Sequence, residues 1–495
     1  MFGVQPGQEG CSLGDERPTK TSSKFLVAGE LFRRIMNTQD LLRLGVPAGE
    51  PIRHAHEFIR CFIAQGGEGT QLETEIFSLV ADPTAFFSDP LRAPFARALY
   101  RPPFMPRAEL APWRQWGEDL DAPAVQQMAN ACALPVAVAG ALMPDAHVGY
   151  GLPIGGVLAT DNAVIPYAVG VDIACRMKLT VYDRAASTVA GQRDRLANLL
   201  EGETRFGVGA GFKQRKDHDV MDRDWSVSPV TQQLRDKAWN QLGSSGSGNH
   251  FVEFGTFTVT EETLGLAPGE YVSLLSHSGS RGTGAKVCEH YSKRAMARHD
   301  YLPKELKHLA WLSLDDADGQ EYWGAMNLMG EYAAANHALI HRAIGRKLGA
   351  ELVLDVENHH NFAWKETHNG REVIVHRKGA TPAGQGVLGI IPGSMASPGY
   401  LVRGRGQPDS LGSASHGAGR VMSRTRALQS FTWSGTKKLL AERGVDLLSA
   451  GLDEVPGVYK DIETVMAAQR DLVDVLGRFD PKIVKMCPAG ERPED

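Results

Sequence analysis

The chain has 495 residues, 42% of them hydrophobic and 22% charged, with a formal net charge of −5. This is the composition of a soluble globular protein, long enough for one large catalytic domain with an appendage or for two or three domains. No apolar run approaches the ~20 residues needed to span a bilayer. The charge balance does not announce a nucleic-acid partner either, although a local basic cleft could still hold one RNA end. Six scattered cysteines with no CxxC pair argue for a reducing compartment and against a disulfide framework. The polar start MFGVQPGQEGCSLGDERPTK lacks the apolar core of a signal peptide. The expected location is cytoplasmic.

Taken in chain order, residues 1–23 are rich in Gly, Ser, Lys and Glu and are expected to be disordered. Residues 24–112 read as a helical segment, with apolar positions at Leu31, Ile35, Leu41, Leu42 and Leu44 and again over 56–63 and 76–87. Residues 113–495 read as a single catalytic domain. A helix is expected from about Ala122. Short apolar strands follow at VAVAGALM, AVIPYAVGVDIA, YVSLLSH and ELVLDVE, each ending in a motif. The charged stretch 214–237 reads as a surface loop plus a helix. The longest helix is expected over 321–348, where Tyr322, Met326, Met329, Ala333, Ile340 and Ile344 recur at three- and four-residue steps. His337 lies near that face and reads as a structural histidine.

Chemistry concentrates in short glycine-rich motifs. Asn249 and His250 stand in QLGSSGSGNHFVE, His277 opens HSGSRGTG, His360 and Asn361 stand in ENHHNFAWKE, and Asp172 and Cys175 stand in VGVDIACRM. Asp172, Cys175, His250, His277 and His360 make five candidate metal ligands of mixed hardness. They match neither the all-oxygen set of magnesium nor the all-thiolate set of structural zinc. Asp172 and Cys175, three apart, can meet on one helical turn or in a tight turn. A thiolate between carboxylate and imidazole suits two adjacent transition-metal ions, and pairs of ions commonly clamp a phosphoryl group. These residues alone leave zinc and manganese equally open.

His416 opens HGAGR, with Arg420 and Arg424 behind it. An imidazole flanked by guanidinium groups can act as acid or base, or can attack phosphorus, while the arginines neutralise phosphate. Arg377 and Lys378 in HRKGA either add positive charge or form an exposed turn. There is no GxxxxGK[ST], no HExxH and no strand–GxGxxG–helix unit, so P-loop, zincin and Rossmann readings fail.

The order MPDAHVGYGLPIGGV, VGVDIACRM, QLGSSGSGNHFVE, HSGSRGTG, HNFAWKE, HRKGA, PGSM, SASHGAGRVMSR and EVPGVYKD resembles that of the RtcB RNA ligase family over about residues 113–490. The resemblance implies an α+β fold: one large catalytic domain with a mixed β core flanked by helices, here preceded by the helical N-terminal segment. It implies joining of RNA 2′,3′-cyclic phosphate or 3′-phosphate ends to 5′-hydroxyl ends, with GTP as cosubstrate and two manganese ions. Carried over by motif, His416 looks like the histidine that becomes guanylylated, and Asp145 like an acidic residue needed near the reaction centre. Asp172, Cys175, His250, His277 and His360 look like the manganese ligands, with Cys175 bridging. Asn249, His250, Phe251, Val252, Glu253, His360, Asn361, Pro392, Gly393, Ser394, Met395, His416, Gly417, Ala418, Gly419, Tyr459 and Lys485 look like the guanylate pocket; Lys485 matches through the looser stretch DPKIVK. The resemblance leaves room for an activating protein partner and for tRNA splicing or RNA repair as the setting.

Three departures stand out. The family usually has VDIGCG, where Ala174 and Arg176 replace both glycines; Arg176 could add a phosphate contact or narrow the cleft. Gly399 stands where a serine usually precedes the tyrosine. Other readings are a metal-dependent phosphodiesterase or an end-capping nucleotidyltransferase, neither the family's ligase, and a non-enzymatic partner that retains only the fold. Every ligand that the motifs allow to be placed is present.

Overall fold

The computed structural model describes residues 36–47, 49–100 and 104–491, and the chain divides into two compact units, Met1–Pro103 and Phe104–Asp495. The expectation for residues 1–23 lies outside the described residues. In the first unit, Asn37 caps the helix Thr38–Arg43 and Asp40 completes a capping box. Helices Glu50–Ala64, Leu72–Ala81 and Ala93–Leu99 follow. Ala55, Phe58, Ile59 and Phe62 fall on one face of the second helix. They pack with Leu72, Ile76, Leu79 and Phe95 in a small core of their own, because one amphipathic stripe per helix must be buried against another.

The second unit is the mixed α/β body, and its α+β class agrees with the expectation from sequence. A five-stranded sheet runs in the order Trp113–Gln115, Ala137–His147, Ile154–Thr160, Arg371–Lys378, Asn361–His368. A larger sheet runs Leu388–Ile391, Gly399–Gly404, Val473–Met486, Phe251–Val259, Gly269–Ser278, Arg176–Ala185, Leu352–His359, with Asp446–Ser449 added in parallel to Val473–Met486. The Leu352–His359 strand of one sheet continues directly into Asn361–His368 of the other, so His360 sits at the corner between them.

The longest helix, Ala317–Leu348, begins one turn earlier than the apolar repeat suggests and ends at Gly349 in the left-handed conformation, with φ 67°. It packs against the Arg176–Ala185 and Gly269–Ser278 strands. His337 is buried there, its Nδ1 2.7 Å from Ser276 Oγ and its Nε2 3.2 Å from the Ser278 carbonyl. The segment AVIPYAVGVDIA is not one strand. Pro166 opens a short helix, Pro166–Val169, after a two-residue strand, and a turn follows. Proline cannot donate to a ladder but suits the first turn of a helix, which explains the difference.

Candidate active site

Four neighbouring strands of the large sheet alternate in direction, so the start of one lies beside the end of the next. Phe251 pairs with His277, Met177 with His277, and Arg176 with His359. Consequently His250, His277, Cys175 and His360 all emerge at the same sheet margin. Asp172 joins them through a tight turn in which Cys175 N–H donates to Asp172 O, at 3.1 Å. Asn361 holds this turn: its side-chain amide donates to Asp172 O at 3.2 Å, and its carbonyl accepts from Ala174 N–H at 2.6 Å. A Cβ at Gly279 would run into the Asp172 carboxylate, which explains the glycine after the serine of HSGS.

The donor atoms fall into two groups, Asp172–Cys175–His250 and Cys175–His277–His360, with Cys175 common to both. Carbonyl partners at Nδ1 set the tautomers of His250 and His277. His250 Nδ1 donates to Ser245 O at 2.7 Å, so its Nε2 lone pair faces Asp172 Oδ2 at 3.1 Å and Cys175 Sγ at 3.4 Å. His277 Nδ1 donates to Asn249 O at 3.3 Å, so its Nε2 lone pair faces Cys175 Sγ at 3.0 Å and His360 Nε2 at 3.2 Å. Burial, with His250 close by, pushes the His277 imidazole down to about 3. Burial and the neighbouring His416 and His277 hold His360 well below its ordinary value. Burial opposes the charge on Asp172, but the adjoining His250, with Cys175 and His277 nearby, holds its carboxyl below the usual range. Neutral imidazoles, a carboxylate and a sulfur thus converge with lone pairs turned inward. That is the environment of a cation, and its mixed donors suit a transition metal.

These residues line one side of a cavity of about 1000 Å³. His416 lines it as well, its ring 5.0 Å from that of His360. Behind His416 lies Asp145, fully buried, whose Oδ2 accepts from His416 Nδ1 at 2.7 Å, from His416 N–H at 3.0 Å and from Gly417 N–H at 3.3 Å. Burial opposes the charge on Asp145, but the His416 charge and hydrogen bond, with Lys460 nearby, hold its carboxyl below the usual range. Gly419, with φ 75°, lies so close to the Asp145 carbonyl that no Cβ fits. The HGAGR glycines therefore press this loop onto Asp145.

A third wall is formed by Phe251, Glu253, Pro392, Gly393, Ser394, Met395 and Gly399, with Asn249, Asn361, Gly417, Ala418, Gly419 and Tyr459 around it. Burial alone raises the Glu253 carboxyl well above its usual range. Two sequence assignments do not reach the cavity. Val252 packs into the core beneath the sheet, because Phe251 and Glu253 point the other way and side chains alternate along a strand. Lys485 is turned away by the same alternation, between Val484 and Met486, and pairs with Glu201 at 2.7 Å.

Three further expectations change. Arg176 faces away from the cavity, bonded to Glu357 Oε1 at 3.1 Å and the Gly330 carbonyl at 3.0 Å, so it neither contacts the site nor narrows it. Arg377 is buried, not in an exposed turn, and is bonded to Glu366 and Ser413. Arg420 and Arg424 do line the cavity, but both are paired with Glu454, and Arg424 also with Asp453 at 2.9 Å. Glu454 opens the EVPGVYKD motif and Asp453 precedes it, but neither carries a local sign of pairing with arginines about thirty positions before. Sequence reasoning also missed Lys460, which lines the cavity and donates to the carbonyls of Pro144 and Ala146 at 2.8 and 2.9 Å. Its signal was its place in the late VYKD motif.

Among the described residues, no helix is long and apolar enough to cross a membrane. A family model described as "tRNA-splicing ligase RtcB" matches residues 127–486. The chain is 33% identical over 410 residues to the "RNA-splicing ligase RtcB1" of Escherichia coli, covering 74% of this chain and 95% of that one. It is 31% identical over 452 residues to the "tRNA-splicing ligase RtcB" of Methanococcus maripaludis, covering 75% and 92%. The matched region contains every motif that lines the cavity, and the chain belongs to the RtcB family of RNA ligases.

Proposed function

We propose that this chain is a GTP- and manganese-dependent enzyme that joins RNA 3′-phosphate or 2′,3′-cyclic phosphate ends to 5′-hydroxyl ends through a guanylylated His416. The observation that carries this reading is the pairing, in one cavity, of an inward-facing donor cluster with a histidine held from behind by a carboxylate. Asp145 fixes the proton of His416 on Nδ1, which leaves the Nε2 lone pair to attack the α-phosphorus of GTP. The P–N bond forms as the bond to pyrophosphate breaks. An RNA 3′-phosphate oxygen, exposed after hydrolysis of any cyclic phosphate, then attacks that phosphorus and releases His416. The 5′-hydroxyl oxygen finally attacks the 3′-phosphate, and GMP leaves as the 3′,5′-phosphodiester forms.

Asp172, Cys175, His250, His277 and His360 would hold the two ions. Bound there, manganese supplies Lewis-acid neutralisation of phosphate charge. Glu253, buried in the wall formed with Phe251 and Pro392–Met395, accepts hydrogen bonds from the N1–H and exocyclic amine of guanine, a pair that adenine does not offer. Asn249, Phe251, Asn361, Pro392–Met395, Gly417–Gly419 and Tyr459 complete the guanylate pocket in this reading. The same reading confines guanylylation to residues 113–495 and leaves the helical segment before them to other tasks. A hydrolase does not need a guanylylated histidine, so covalent labelling at His416 separates the ligase reading from a phosphodiesterase.

The deciding experiment is incubation with α-labelled GTP and manganese, followed by RNA of defined ends. His416→Ala should lose all covalent label yet still seal RNA that already carries the guanylate cap. Label retained in His416→Ala overturns the proposal.

A further inference from the structure

At the rim of the same cavity, one feature serves neither the donor cluster nor the guanylate wall. Tyr150 lines the cavity yet is 64% exposed, beside Val148 at 50%. An exposed aromatic ring on a loose loop would be unremarkable, but this loop is clamped at three successive residues. Gly149 is held on both sides by Gln127, whose Nε2 donates to Gly149 O at 2.6 Å and whose Oε1 accepts from Gly149 N–H at 3.0 Å. The Tyr150 carbonyl accepts from the buried Lys378 ammonium at 2.6 Å. Gly151, with φ 73°, lies against the His308 backbone so closely that a Cβ would stand 2.8 Å from its carbonyl oxygen. The Tyr150 ring is braced from the side by His308, edge-on at 5.8 Å, and by Tyr167 at 6.4 Å.

Fixing the backbone of a loop costs conformational entropy. Here that ordering displays an aromatic face to solvent at the mouth of a cavity. The bracing rings meet Tyr150 tilted or edge-on, which leaves a face of the ring for a stacking partner. Lys378, which donates to the Tyr150 carbonyl, also lines the cavity beside this rim; its burial lowers the ammonium to about 7, and an incoming phosphate would favour the charged form. An exposed aromatic face with a lysine amine bonded to its own main chain matches one nucleotide unit of a single strand: a base to stack and a phosphate to bind.

Resting on the RNA-ligase reading above, we propose that Tyr150 is a stacking platform for an unpaired nucleobase of the RNA strand entering the cavity. It would hold a base near the joined end in register with the reacting phosphate. Because stacking uses the face that every base has, the subsite would be tolerant of sequence.

The test uses the full chain and RNA strands carrying 2-aminopurine at the first or second nucleotide from either a 3′-phosphate or a 5′-hydroxyl end. Wild type, Tyr150→Ala and Tyr150→Phe are compared; the side chain is exposed, so folding is not at stake. Quenching of about threefold or more in wild type and Tyr150→Phe, absent in Tyr150→Ala, is expected on one of the two strands. KM for RNA should rise about tenfold in Tyr150→Ala with kcat changed less than about twofold. Equal fluorescence in all three proteins would overturn the platform, including its replacement by a protein-docking role for the rim. Ligation is scored in the same samples. Failure of the wild type to ligate would overturn the ligase reading; ligation without Tyr150-dependent quenching overturns the platform alone.

Discussion

The two histidine environments of the cavity use one side chain in opposite ways. On the donor side, His250, His277 and His360 are held at strand ends, the first two anchored by an Nδ1–H bonded to a carbonyl oxygen, with Nε2 of all three turned inward toward the other donor atoms. On the facing side, His416 stands on a glycine-rich loop and is backed by a buried carboxylate. Burial lowers the pKa of His277 and His360 and favours their neutral form, which suits a ligand, while His250 stands against the Asp172 carboxylate. A carboxylate at Nδ1 orients His416 and stabilises the positive charge that forms as it reacts, which suits a nucleophile. The partner behind the ring decides the role.

Substitutions can break that contrast. The largest effect is expected from Asp145→Asn, which keeps the shape but removes the charge and the proton acceptor. Covalent labelling by GTP should fall about 10³-fold, by analogy with other imidazoles oriented by a carboxylate. Loss of less than about threefold in single-turnover labelling would show that His416 does not depend on Asp145. Next, Cys175→Ala removes the donor common to both groups. Bound manganese, counted by elemental analysis, and ligation should fall together, the latter about 10²-fold. Full metal content in the variant would refute the shared-donor reading.

Smaller changes sharpen the contrast. A Cβ at Gly399 would lie 3.3 Å from Pro392 Cα, so a serine there fits only after a small shift. Gly399→Ser should raise the GTP-over-ATP labelling ratio about threefold, the worth of one neutral hydrogen bond. An unchanged ratio would mean that position 399 does not read the base. Smallest of all, Ala174 sits in the Asp172–Cys175 turn with φ 58°, a conformation that costs a non-glycine residue about 1 kcal/mol. Ala174→Gly should raise the thermal midpoint by about 1 °C in a chain this long; a fall would show that the methyl group packs better than the backbone suffers.

The sequence made the donor set legible because each ligand sits beside glycine or at the end of an apolar run, and such contexts survive reading in one dimension. What it did not show was which way neighbouring side chains face. Val252, Lys485 and Arg176 were each adjacent to site residues, and strand alternation turns all three away. Nor could it show that Arg420 and Arg424 meet Glu454, some thirty positions on, since pairing across a fold leaves no local periodicity. The helices within residues 38–99 follow the apolar spacing, and Pro166 in AVIPYAVG marks where a strand stops.

The stapling of the donor turn has a consequence for how ions exchange. Asn361 ties the Asp172–Cys175 turn to its own strand, and His360 N–H donates to Cys175 O at 2.9 Å. Both ligand-bearing segments are thus joined through the main chain and anchored in a sheet of eight strands. Small zinc domains, by contrast, lose their fold with their ion. Here a chelator should strip activity while leaving the circular-dichroism spectrum intact, and restoring the ion should restore turnover without a refolding lag.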